Sequence, residues 1–74
     1  MAKVKTIDLH NYKLLEAENV FISYLNEARL KNMSIRVRCI TGKGIIRDTY
    51  LKLSKEHNLN ALKEGYGIIT IDFE

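Results

Sequence analysis

The stretch Thr41-Gly42-Lys43-Gly44 constrains this chain more than any other. Before it runs Ile35-Arg36-Val37-Arg38-Cys39-Ile40, β-branched residues alternating with arginines by period two, which predicts a strand. After it, Ile45 to His57 carries Ile46, Thr49 or Tyr50, and Leu53 at helical spacing, which predicts a helix. A strand that passes through Gly-Lys-Gly straight into a helix has a definite physical capacity. The glycines can take positive φ and let the backbone approach a ligand closely. The free N–H groups of the first helical turn, with the dipole behind them, favour an anion. Lys43 adds a mobile positive charge. No leading glycine stands at the G-x-x-x-x-G-K-[ST] spacing, so this is not a P-loop. The same four residues also read as a tight strand-to-helix turn with no ligand.

The chain has 74 residues, enough for one domain with a small core. No segment approaches the ~18 continuous apolar residues of a membrane span. Met1-Ala2-Lys3-Val4-Lys5 leads directly into a strand pattern without the apolar region of a secretory signal. Cys39 is the single cysteine and sits inside an apolar strand, so it reads as a buried small hydrophobe. Reducing, cytoplasmic surroundings are expected. A net charge of +3 permits a polyanionic partner without requiring one.

The first strand is predicted over Lys3 to His10. Ile7 and Leu9 point one way, and Val4, Thr6, Asp8 and His10 the other. Asp8 and His10 would thus share a face with Cα atoms roughly 7 Å apart at ~3.3 Å per residue. A carboxylate beside an imidazole is the usual acid–base pair near neutral pH. An Asp-x-His at a strand end is more often a turn-forming aspartate and an exposed histidine. Asn11 is the expected N-cap of a helix from about Lys13 to Lys31, whose core stripe is Leu14, Ala17, Phe21, Leu25 and Ala28. In the next strand Ile35, Val37 and Cys39 face one side and Arg36 and Arg38 the other. The two arginines belong either to an exposed face kept soluble by charge or to a basic surface shared with Asp8 and His10. Arg47 lies one turn beyond Lys43, where it could reinforce an anion site. Leu59 to Lys63 reads as a short strand, Gly65-Tyr66-Gly67 as a hairpin turn, and Ile68 to Phe73 as the last strand. The core is expected to hold Leu14, Ala17, Phe21, Leu25, Val37, Cys39, Leu53 and Ile71.

Taken together, Ile7-Asp8-Leu9-His10 and Thr41-Gly42-Lys43-Gly44, each at a strand end and separated by one helix and one strand, resemble the Smr (small MutS-related) domain. That family has an L-D-x-H motif followed by [TH]-G-x-G, and the Gly65-Tyr66-Gly67 turn looks like its closing hairpin. The resemblance covers nearly all of residues 1–74 and implies an α+β fold similar to the C-terminal domain of translation initiation factor three. That fold is a two-layer βαβαββ sandwich, with two helices on one face of a mixed four-stranded sheet. It further implies nucleic-acid binding with endonuclease activity, nicking DNA or cleaving RNA. Asp8 and His10 match the catalytic motif, and Thr41, Gly42, Lys43 and Gly44 match the phosphate-binding loop; Arg47, Arg36 and Arg38 would extend the basic surface. Asn11 replaces the glycine common after the histidine, and the segment between Gly44 and Arg47 is shorter than in relatives. A divalent metal such as Mg2+ is compatible with the resemblance, but two candidate ligands on one strand do not make a metal site. Tyr12 and Tyr66 are the aromatics in turns, too few for sequence-specific reading of single strands. A nucleic-acid or ribosome-binding module without cleavage, or a protein-interaction domain, are the competing readings.

Overall fold

The computed structural model describes residues 3–42 and 44–74. The element order is β1 (Lys3–Asp8), α1 (Leu14–Leu30), β2 (Ile35–Ile40), α2 (Ile45–Glu56), β3 (Asn60–Lys63) and β4 (Ile68–Phe73). This is the expected βαβαββ order. The strands form one mixed sheet in the order β1-β2-β4-β3. β1 and β2 are parallel, and β4 runs antiparallel to both of its neighbours, β2 and β3.

Only one face of the sheet is covered, and the alternation in the sequence dictates which. Ile35, Val37 and Cys39 of β2 and Ile69, Ile71 and Phe73 of β4 are buried. Arg36, Arg38, Thr70 and Asp72 stand on the opposite, open face. Both helices lie on the buried side, so the molecule is a two-layer α+β sandwich. Phe21 of α1 joins the layers. Its ring meets Tyr50 edge-on at 5.1 Å and Phe73 edge-on at 4.9 Å. The Tyr50 hydroxyl donates to the Ala17 carbonyl at 2.6 Å and ties α2 to α1.

Two expected core positions differ. Leu14 and Leu53 are half-buried, whereas Tyr50 and Ser54 are fully buried. The buried stripe of α2 therefore runs Ile46-Tyr50-Ser54 at i, i+4 spacing. Ser54 is tolerated there because its hydroxyl donates to the Tyr50 carbonyl at 2.8 Å. The first strand also stops two residues short of His10, which lies in a turn. The N-cap of α1 is Lys13 rather than Asn11. Glu16 Oε1 accepts the Lys13 N–H at 3.0 Å, while Tyr12 N–H donates to the Leu9 carbonyl at 3.0 Å, closing a turn upstream of the helix. Among the described residues no helix is long and apolar enough to cross a membrane.

Candidate functional site

Because β1 and β2 are parallel neighbours, their C-terminal ends emerge at the same edge of the sheet. Because β4 is antiparallel to β2, its start emerges there too: Ile40 is opposite both Asp8 and Ile68. Three loops therefore meet at one edge, carrying Asp8 and His10, Thr41, Gly42 and Gly44, and Gly65 to Gly67.

Asp8 and His10 do form a pair, by a route other than strand alternation. Asp8 Oδ1 accepts the His10 backbone N–H at 3.1 Å and lies 2.5 Å from His10 Nδ1. The carboxylate thus closes a local turn on its own backbone and holds the imidazole. An ionised carboxylate can only accept, so Nδ1 carries the proton in that bond. In the neutral ring, Nε2 is then left as the proton acceptor. The His10 ring, and after it the His10 backbone N–H, hold the Asp8 carboxyl below its ordinary value. Both side chains are about half-exposed, so the dyad is open to solvent and to a polymer.

The glycine loop stands beside this dyad. A Cβ built on Gly42, whose φ is +70°, would lie 3.9 Å from His10 Cβ. That is van der Waals contact, so the loop backbone and the His10 side chain abut, and a phosphate would have to lie across their outer rim rather than between them. The front half of the loop is occupied by the fold itself, however. The Thr41 and Gly42 N–H groups donate to the Gly67 carbonyl at 2.7 and 3.1 Å. The buried Thr41 hydroxyl lies within reach of the same carbonyl, at 3.2 Å, and of the Gly42 carbonyl, at 3.0 Å. Thr41 and the Gly42 amide thus fasten the loop to the β3–β4 hairpin. The amides left for an anion are those at the start of α2, ahead of the Asp48 N–H to Gly44 carbonyl bond at 3.1 Å. Lys43 lies outside the described residues.

The chain matches no family model, no curated protein and no solved structure.

The three arginines are less available than the sequence suggested. Arg36 makes a two-pronged ion pair with Asp72, directly opposite on β4, at 2.7 and 3.2 Å. That contact raises the Arg36 pKa above its ordinary value. Arg38 Nε lies 3.5 Å from Glu64, whose carboxylate also accepts the Thr70 hydroxyl at 2.6 Å. Both arginines line a shallow depression on the open face with Val4, Leu62, Thr70 and Asp72. That depression is not the loop cluster. Arg36 sits four residues back along β2 from the edge at Ile40, roughly 13 Å at the strand rise. Arg38 is one repeat nearer. Arg47 stays near the loop in the first turn of α2, in loose contact with Asp48 at 3.4 Å. The structure thus brings Asp8, His10, Thr41, Gly42, Gly44 and Arg47 to one edge and leaves Arg36 and Arg38 on the open face.

Gly67, Glu64 and Asp72 are participants that sequence reasoning passed over. The outward positions of β4, Thr70 and Asp72, were legible from its alternation and could have suggested acidic partners for the arginines. The Gly67–Gly42 approach left no local signal. For a metal, the donors present at the edge are one carboxylate already bonded to an imidazole. Among the described residues no three His, Cys, Asp or Glu side chains are grouped to hold an ion.

Proposed function

We propose that this chain is a Smr-like domain that binds nucleic acid and cleaves a phosphodiester at the edge where β1 and β2 end. The observation that carries the reading is the Asp8–His10 hydrogen bond, with Gly42 packed beside the His10 Cβ. Asp8 fixes the ring so that Nε2 is the base. The scissile phosphate rests on the amides at the start of α2 with Arg47 and Lys43 as counter-charges. Nε2 takes the proton of the attacking oxygen, water for DNA, or water or the 2′-hydroxyl for RNA. The new P–O bond forms as the bond to the leaving oxygen breaks, and the imidazolium returns its proton to that oxygen. Asp8 remains ionised throughout and stabilises the imidazolium.

The test incubates the protein with supercoiled plasmid and with structured RNA, in Mg2+ and in chelator. His10→Ala should abolish cleavage while binding and the urea midpoint stay near wild type. Lys43→Ala should weaken binding to all sequences alike and lower the salt slope by about one unit. Cleavage that survives His10→Ala refutes the catalytic assignment. The commitment of the Thr41 and Gly42 amides to Gly67 favours one second reading, a binding module without cleavage. Wild type that binds with a salt-dependent affinity but never cleaves would select it.

A further inference from the structure

The hairpin tip between β3 and β4 carries an aromatic ring in an unusual position. Tyr66 is 82% exposed and is flanked by Gly65 and Gly67, with φ of +62° and +70°. A lone exposed aromatic is ordinary on a protein surface. What distinguishes this one is its mounting. The Gly67 carbonyl takes the N–H groups of both Thr41 and Gly42, and the two glycine backbones approach so closely that a Cβ on Gly67 would lie 2.8 Å from Gly42 Cα. The ring is therefore carried one residue from a rigid joint, and that joint is in contact with the backbone beside His10.

We infer that Tyr66 is a positioning residue that stacks on an unpaired base next to the phosphate held at the β1–β2 edge, so that the preferred ligand is single-stranded nucleic acid. This rests on the function proposed above. The charge distribution supports it independently. Arg36 and Arg38 are each paired with an acid, so the open face of the sheet presents a duplex phosphate with no unopposed arginine. A stacking platform supplies affinity that charge alone does not, and it is tolerant of sequence because every base has a π-face. One aromatic also fits a reader that holds a strand without decoding it.

The chain contains no tryptophan, so Tyr66→Trp installs a single indole at the hairpin tip. Binding is measured with a mixed-sequence single strand of about twelve nucleotides and with the corresponding duplex. The single strand should quench the indole on saturation, and the duplex should not. Tyr66→Ala should weaken single-strand binding about tenfold, leave duplex binding within about twofold and keep the urea midpoint. Tyr66→Phe should restore it. Equal losses on both probes, no loss on either, or an unquenched indole would overturn the assignment. If wild type binds and cleaves while Tyr66→Ala changes nothing, only this inference falls. If wild type binds neither probe, the proposed function falls and carries this inference with it.

Discussion

Replacing Gly67 by alanine tests the joint on which the candidate site depends. Gly67 sits at φ +70°, and its Cβ would lie 2.8, 2.9 and 3.0 Å from Gly42 Cα, C and N. These are backbone atoms, so no side chain can swing away. An alanine in the left-handed region costs about 1–2 kcal/mol. Forcing the loops apart adds an overpacking cost of about 1–3 kcal/mol. It also lengthens the two N–H bonds to the Gly67 carbonyl, worth about 1 kcal/mol each. The reduced freedom of the unfolded chain returns about 0.4–1 kcal/mol. A net loss of about 3–6 kcal/mol results, a large part of the ~4–11 kcal/mol expected for a domain of this length. Gly65 is the control: at φ +62° it has nothing within 4 Å of its Cβ, so Gly65→Ala meets only the backbone preference. Its net cost should be about 1 kcal/mol. Urea unfolding, with a slope of ~1 kcal/mol per M, should separate the two midpoints by at least about 2 M. Equal midpoints would mean that the hairpin and loop are not pressed together, and the joint would be refuted.

Phe21→Ala removes the ring that meets both Tyr50 and Phe73 and should cost about 3–5 kcal/mol in urea unfolding; a wild-type midpoint would contradict its central place. Tyr50→Phe deletes the bond to the Ala17 carbonyl and should cost about 1 kcal/mol, with no change expected if the helices are held by packing alone. Burial pushes the Cys39 thiol from its ordinary 9.0 up to about 12. The unfolded chain therefore loses that proton first, and stability, complete below pH 9, declines as pH rises toward 12 by up to about 1.4 kcal/mol per unit. Cys39→Ala should flatten the decline at its onset, before the burial-raised Tyr50 hydroxyl begins to contribute above its ordinary 10.0.

The alternation of β2 was readable because one face of the sheet is dry and the other wet, so each isoleucine, valine or cysteine declares its side. The helices were readable for the same reason, through their apolar stripes. His10 misled because Asp8 and His10 continue the period of two after the strand has ended. There the Asp8 carboxylate captures the His10 N–H, and a local side-chain bond replaces the ladder. The pairing of Arg36 with Asp72 was out of reach for a different reason. It requires β4 to insert between β2 and β3, and the order βαβαββ does not state where the last strand goes.

That insertion decides which residues can separate function from stability. With β4 beside β2, the hairpin turn lands on the glycine loop, and the loop's threonine and first glycine become part of the fold. Thr41 is 5% exposed with its hydroxyl turned toward Gly67 and Gly42. A Thr41 variant that loses activity therefore says nothing about ligand contact unless its stability is measured alongside. His10, Asp8 and Tyr66 are exposed at the same edge, and their side chains contribute no core packing. Variants at these three positions can change chemistry or binding while the sheet stays intact. The edge thus has a buried framework that holds the loops in register and an exposed set that faces solvent. Loop-wide mutagenesis would blur the two, whereas His10 and Tyr66 address the exposed set alone.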